Sequence, residues 1–379
     1  MYEYEKNSRF FAQVPLEIRD VAAEEIRRLG AVSVRTVHRG IHFEAEREGL
    51  YRITYRTRLA TRILAPLLRF RCHNTDYLYR RACSVPWPEI FSADRTFAVF
   101  SSVANSRIRH SRYAALKLKD AIVDTFRQAG KQRPSVDRKD PDVRFGLHIE
   151  NDMATLHLDA SGGSLHRRGY RVESVDAPMQ EILAAAVIRL SEWDGSRPLV
   201  DPLCGSGTLL CEALLFHCRV PSGYLRGRFG FETLPDFDAP LWRHVRKTAN
   251  QRIRPLSKGL ISGGDLSPKA VRAARVNLQR LPGGKGVAVR QEDFRDNPGW
   301  RDALIVCNPP YGVRLGTTDQ AAGLYRDLGD FLKQRCTGST AYVYFGDPSL
   351  IQAVQLHPTW KKPIKNGGLD GRLVRFDLY

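Results

Sequence analysis

The sequence predicts an α/β protein in two parts. A smaller α+β front half precedes a largely parallel sheet with helices on both faces, built from roughly the last two hundred residues. Two observations carry this expectation: short apolar runs alternate regularly with helical periods in the back half, and polar or glycine-rich clusters stand at the ends of those runs. A third is the charge, which is concentrated ahead of the alternating region.

The chain has 379 residues, 42% of them hydrophobic, enough for two or three domains with substantial cores. Its formal net charge is +18 and its isoelectric point about 9.8. Residues 1–50 hold 8 Lys/Arg against 9 Asp/Glu, residues 51–144 hold 20 against 8, and the remainder 31 against 24. Most of the excess therefore sits in a segment of under a hundred residues. That points to a polyanion-binding surface, the plainer alternative being a solvated basic one. There is no apolar run of 18 residues, and "MYEYEKNSRFF" lacks the apolar centre of a signal peptide, so a cytoplasmic protein with no membrane partner is expected. Seven scattered cysteines without a C-x-x-C pair suggest reduced thiols, with neither a disulfide framework nor a metal site.

In the front half, "PLEIRDVAAEEIRRLG" places Ile18, Val21, Ala22 and Ile26 at helical spacing and stops on Gly30. "VSVRTVHRGIHFEA" alternates as a strand pair turning at Gly40. In the Arg-rich stretch from Tyr51 to about Arg144, "RYAALKLKDAIVDTFRQAG" reads as a helix with Ala115, Leu118, Ile122 and Phe126 on one face. "KQRPSVDRKDPDVR" is a proline-punctuated connection, "FGLHIENDMATLHLDASGG" a hairpin, and Gly162-Gly163 with "HRRGYR" a hinge, which puts the domain boundary between residues 160 and 175.

The back half reads in order as helix "APMQEILAAAVIRL", strand "RPLVD", helix "GTLLCEALLFH", strand "LISGGD" and helix "SPKAVRAARVNLQRL", with Ser267 as cap and Pro268 in the first turn. Strands "GVAVRQED" and "ALIVCN", helix "GLYRDLGDFLKQR", and strands "TAYVYFGD" and "GRLVRFDLY" complete it. In such sheets ligands bind beyond the strand C-termini.

Four polar clusters stand there. "VDPLCGSGTLL" delivers Asp201 from a strand into a turn at Gly205 and Gly207, where free helix N–H groups face a ligand. A dinucleotide fingerprint would need glycine where Leu210 stands, and no G-K-[ST] follows; a G-x-G by itself also fits a plain turn. Asp265 in "GGDLSP" can accept both hydroxyls of a ribose or simply cap a helix. Asp293 in "QEDF" suits the exocyclic amine of a base, or is a solvated loop carboxylate. Most specific is "IVCNPPYG": two prolines without N–H groups leave the Asn308 amide oxygen and the Pro309 carbonyl as acceptors for one -NH2, and Tyr311 offers a face for an unpaired base.

D-P-x-C-G-S-G-T, the acidic strand ends and N-P-P-Y-G together resemble class I S-adenosylmethionine-dependent amino-methyltransferases. "SRYAALKLKDAIVDTFR", "RPSVDRKDPDVR", "LDASGGSLHRRGYR" and "RGRFGF" are similar to stretches of the THUMP-containing 23S ribosomal RNA guanine-N2 methyltransferases. The resemblance spans nearly the whole chain and is to the guanine-N2 half of an enzyme fused in some bacteria to a second methyltransferase, so a single such half is expected. It implies a ferredoxin-like part over 1–48, an α+β THUMP RNA-binding domain over 49–160, a linker over 161–175 and a Rossmann-like class I methyltransferase domain over 176–379. It further implies that Asp201, Cys204, Gly205 and Gly207 wall the methionine end of S-adenosyl-L-methionine, Asp265 its ribose and Asp293 its adenine. Pro202, Thr208, Leu266, Phe294 and Asn308 complete the cofactor set, and Asn308, Pro309 and Tyr311 hold the target guanine. The chain departs from the family pattern at "PMQE", where a lysine is expected near Gln180.

The expected reaction is direct methyl transfer to guanine N2 in 23S rRNA or a large-subunit assembly intermediate. Arg107, Arg109, Arg112, Lys117 and Lys119 are expected to dock RNA phosphates. The same motifs are compatible with a tRNA guanine, with adenine N6, or with a non-catalytic RNA-binding assembly factor.

Overall fold

The structure, a computed structural model, describes residues 1–176, 178–310, 318–367 and 369–379. Two compact units emerge: Met1–Leu165 together with Arg226–Lys247, and His166–Leu225 together with Thr248–Tyr379.

The first unit is organised on one seven-stranded sheet. Its strands are β1 (Arg9–Gln13), β2 (Val32–Val37), β3 (Gly40–Glu44), β4 (Arg62–Arg71), β5 (Phe97–Ala104), β6 (Val143–Glu150) and β7 (Met153–Asp159), in the order β2-β3-β1-β4-β7-β6-β5. All neighbours are antiparallel except β5 and β6. The strand pair turning at Gly40 and the late hairpin form as the alternation predicts. β4 was hidden by its arginines: along it, Ile63, Ala65, Leu67 and Phe70 are buried while Arg69 and Arg71 stand out. Alternation is a backbone property, so charge on one face does not prevent a strand whose other face is apolar.

The helix expected around "RYAALKLKDAIVDTFRQAG" spans Ser111–Gln128 and ends at Gly130, whose φ of 68° a side chain would resist. Its buried stripe is Ala114, Leu118, Ala121, Ile122 and Phe126. Ala115, expected on that face, is only half-buried, because the stripe runs through 114 at the 3.6-residue period. Residues 226–247 belong to the same core. Trp242 meets Tyr55, Phe229 and Phe231 edge-on, with ring centroids 5.2, 5.5 and 5.0 Å away, and Phe231 stacks on Tyr51 at 4.5 Å.

The second unit carries β8 (Leu199–Asp201), β9 (Ile261–Asp265), β10 (Ala288–Gln291), β11 (Leu304–Cys307), β12 (Thr340–Phe345), β13 (Trp360–Pro363) and β14 (Arg372–Asp377), ordered β10-β9-β8-β11-β12-β14-β13. The first five in that order are mutually parallel; β14 runs antiparallel to β12, and β13 to β14. Helices Glu181–Leu190, Thr208–His217, Pro268–Gln279 and Thr318–Arg335 separate the strands. The first begins only at Glu181, later than the expected helical stretch, with Gln180 in extended backbone as its N-cap. The chain steps outward from β8 through β9 to β10, then returns to place β11 on the other flank of β8. A crevice beyond the strand ends opens at that reversal.

Candidate active site

β8 and β11 flank the reversal; β8 ends in a polar residue that the hydrophobic strand buries with it, and β11 passes directly into the half-buried Asn308. Asp201 is the last residue of β8, 1% exposed, and accepts the Leu203 N–H at 3.2 Å. Burial pushes its carboxyl well above the usual carboxylate range, and the nearby Asp265 charge adds to this. Val200 lies opposite Ile305, so Asn308 sits three residues beyond that level on the neighbouring strand's exit.

The turn after Asp201 is held from both sides. The Cys204 N–H donates to the Gly264 carbonyl at 2.9 Å and the Gly207 N–H to the Cys204 carbonyl at 2.8 Å. Gly205 and Gly207 take φ of 53° and 77°, the left-handed region that glycine alone enters cheaply. A Cβ on Gly207 would lie 3.0 Å from the Ala274 Cβ, whereas on Gly205 it would meet only the Val175 methyl at 3.7 Å. Gly207 is thus demanded by helix packing, while Gly205 borders open space. Thr208 opens the helix, buried, and its hydroxyl accepts from Arg171 at 2.9 Å. Pro202 lies buried between Asp201 and this turn.

Asp265, at the end of β9, accepts the Gly205 N–H at 2.8 Å through one oxygen and the Ser267 N–H at 2.9 Å through the other. It therefore ties the glycine turn to the start of the next helix, and its carboxylate keeps spare lone pairs. Leu266 beside it is 61% exposed, an apolar surface at the strand end. After β10, Asp293 receives the Arg295 backbone N–H at 3.0 Å and a forked guanidinium contact, 2.6 Å at the shorter arm, which holds its carboxyl below the usual range. Arg295 also reaches Asp327 at 3.1 Å. Phe294 is buried edge-on against Phe331.

β11 is buried throughout, and the chain leaves it as Asn308-Pro309-Pro310. The Asn308 Oδ1 is buried with no hydrogen-bond partner among the described residues. The Pro309 carbonyl accepts the hydroxyl of the fully buried Tyr325 at 3.4 Å, which leaves it a second lone pair. A buried orphan acceptor costs about 1–3 kcal/mol, so its persistence at a strand end is a mark of a site. Tyr311 lies outside the described residues.

Several residues that hold this site gave no motif. Asn277, fully buried in the helix Pro268–Gln279, accepts from Val172 and Glu173 N–H at 2.9 and 3.2 Å and donates to the Glu173 and Ser206 carbonyls at 2.8 and 3.0 Å. It fastens the segment entering this unit to the glycine turn. The buried Ser206 Oγ likewise has no hydrogen-bond partner among the described residues. Arg171 joins Thr208 to the Met179 carbonyl, and Arg168 and Tyr170 converge on the buried Glu212 at 3.3 and 3.0 Å. The only available signal was a polar Asn inside an otherwise apolar helix stripe, and the "RRGYR" stretch read as a hinge. Gln180 is exposed at the N-cap of the Glu181 helix and its side chain makes no cap bond.

In the first unit the five basic candidates divide. Arg109 and Arg112 are exposed, with no ion pair among the described residues. Arg107 leans on Asp152 at 3.6 Å, Lys117 on Asp76 at 3.6 Å, and Lys119 on Asp120 at 2.5 Å.

Residues 168–375 match the RMKL-like methyltransferase domain, residues 72–159 the THUMP domain, and residues 9–64 the RlmL ferredoxin-like domain. The ribosomal RNA large subunit methyltransferase K/L of Syntrophotalea carbinolica is 41% identical over 98% of this chain and 53% of its own length. A Synechocystis protein, slr0064, provisionally named an RNA methyltransferase, is 36% identical over 98% of this chain and 97% of its own. This chain spans about half the length of the K/L relatives it matches. Among solved structures SMU.472, provisionally described as a methyltransferase and complexed with SAH, superposes with a TM-score of 0.86 at 25% identity, covering 98% of each chain. With the matched methyltransferase domain spanning more than half its residues, behind a ferredoxin-like and a THUMP domain, the chain belongs to the RMKL-like methyltransferase family.

Proposed function

We propose that the chain is an S-adenosyl-L-methionine-dependent RNA methyltransferase that modifies the exocyclic N2 of a guanine in 23S rRNA. The observation that carries this reading is the buried Asn308 Oδ1, without a hydrogen-bond partner among the described residues, just past the end of β11 and next to the glycine turn after β8. An acceptor kept dry and unsatisfied suits a ligand -NH2. The K/L relatives' names supply the ribosomal RNA, and the SAH-bound neighbour supports the cofactor.

The residues present fit that cofactor. Space at Gly205, the free N–H groups opening the Thr208–His217 helix and the buried Ser206 hydroxyl can receive its polar methionine end. Asp265 keeps lone pairs for ribose hydroxyls, with Leu266 as an apolar wall. Asp293 can take an adenine amine in exchange for part of its Arg295 contact.

When bound, the cofactor supplies an electrophilic methyl group on a sulfonium, whose C–S bond breaks as the C–N bond forms. Guanine N2 is a poor nucleophile because its lone pair is delocalised into the ring. The Asn308 Oδ1 and the Pro309 carbonyl accept its two N–H groups, localise electron density on nitrogen and orient it. Pro309 and Pro310 fix the backbone that presents both acceptors. The proton leaves N2 to water once the new bond has formed, so no basic side chain is assigned. Tyr311 is proposed to stack the extruded base.

Asn308→Ala is expected to cut the single-turnover rate by about 100-fold or more while cofactor and RNA affinity persist. An undiminished rate would sink the assignment. Nucleoside mass analysis of 23S rRNA and tRNA from cells with and without the gene fixes the base and the RNA: N6-methyladenosine, or a loss confined to tRNA, would replace the guanine or rRNA reading.

A further inference from the structure

The sheet of the first unit buries one parity of its residues and leaves part of the other bare. Phe10, Ala12, Ile41 and Phe43 turn inward, while Phe11, His42, Arg35 and Arg69 lie on the opposite face. Register places three of them side by side: Arg35 on β2 pairs with His42 on β3, and His42 with Phe11 on β1; Phe11 in turn faces Leu64 of β4, and Arg69 stands on the same face further along β4, opposite Thr155 of β7. Phe11 packs against His42 with ring centroids 4.9 Å apart, and its ring lies over Gly40, where any Cβ would clash. An aromatic pair is thereby fixed on the surface, with Arg35 beside it and Arg69 further along the same face on β4.

Arg35, Arg69 and the neighbouring Arg71 are exposed and have no ion pair among the described residues, while Arg9 on the same face is matched by Glu44 at 2.8 Å. Burial, then the charges of Arg69, Arg35 and Arg9, hold the His42 pKa below its ordinary value. Proteins do not ordinarily converge uncompensated arginines on a flat aromatic surface, since like charges repel and sheet faces bury better with apolar cover. A ligand that brings both negative charge and planar rings relieves both. Unpaired RNA does so, with phosphates for the guanidiniums and bases for Phe11 and His42. A duplex shows its phosphates but not its base faces.

We propose that this bare sheet face is a docking platform for single-stranded RNA, separate from the Arg107–Lys119 region and engaging RNA flanking the methylated nucleotide. The proposal rests on the RNA reading above. Its test is fluorescence anisotropy of the full-length chain, without methyl donor, against a 12-nucleotide unstructured RNA and a duplex of equal length.

Arg35→Gln with Arg69→Gln is expected to weaken single-strand binding at least about tenfold and to make the salt dependence shallower by about 1.4 in log–log slope, from two lost phosphate contacts. Phe11→Ala is expected to weaken it with the slope unchanged, because stacking releases no counterions. Unchanged single-strand affinity in the double variant, or an equal loss for duplex, would overturn the platform. So would sedimentation showing a wild-type dimer that the arginine substitutions dissociate, since the face would then be a contact between copies. A wild-type chain that binds single strands in this way yet yields no methylated nucleoside would refute the enzymatic reading and leave the platform standing.

Discussion

Two glycines one residue apart do different physical jobs at the strand end. Gly207 faces helix Pro268–Gln279, and an alanine there must both enter the left-handed region and press on Ala274. Gly205 carries the same backbone demand, but its missing side chain opens onto the crevice. Gly207→Ala is therefore expected to lower unfolding free energy by about 1–3 kcal/mol in urea titration. Gly205→Ala should cost about 1 kcal/mol of stability and, in calorimetry, more than tenfold in S-adenosyl-L-methionine affinity. Equal stability and affinity losses in the two would contradict this division. The motif D-P-x-C-G-S-G-T told that glycines were needed. Which one serves packing and which the ligand was invisible until Ala274 was placed opposite Gly207.

At the level of elements, residues 226–247 depart most from sequence order. They lie between helix Thr208–His217 and β9 of the second unit, yet their aromatic side chains complete the core of the first. Arg228 reaches Asp142 at 2.6 Å, Tyr4 donates to Asp236 at 2.7 Å, and Gly230 packs so closely on the Asp159 carbonyl that no side chain fits. Trp242→Ala is expected to destabilise the first unit by about 3–5 kcal/mol, measured by denaturant unfolding with near-ultraviolet signals. A fragment of residues 1–165 alone should expose Tyr51 and Tyr55 and unfold at lower denaturant than the whole chain. Coincident transitions of fragment and whole chain would show that the inserted aromatics contribute nothing.

For the whole molecule, the strong positive charge predicts that RNA binding, as proposed above, weakens as salt rises. Deleting residues 51–144 is a poor test of the basic segment, because they supply β4, β5 and the Ser111–Gln128 helix, without which the sheet of the first unit cannot form. Charge reversal is cleaner. Arg109→Glu with Arg112→Glu is expected to weaken structured-RNA binding and flatten its salt dependence, whereas Lys117→Glu and Lys119→Glu should act less, their charges being partly matched already by Asp76 and Asp120. Equal effects from both pairs would mean that internal pairing does not decide which cations meet RNA.

The sequence by itself determined the parallel α/β back half, the strand ends at Asp201, Asp265, Asp293 and Asn308, and the likeness to a methyltransferase family. Those features are local: a two-residue or 3.6-residue period, a proline pair, a glycine turn. Only the tertiary structure decided that Asn277 fastens the entering segment to the glycine turn, that Arg295 holds Asp293, that the Asn308 oxygen has no partner among the described residues, and that residues 226–247 build the first core. Each of these depends on residues far apart in the chain, and a hydrogen bond or a packed ring exists only once the folded backbone has brought both partners within a few ångströms.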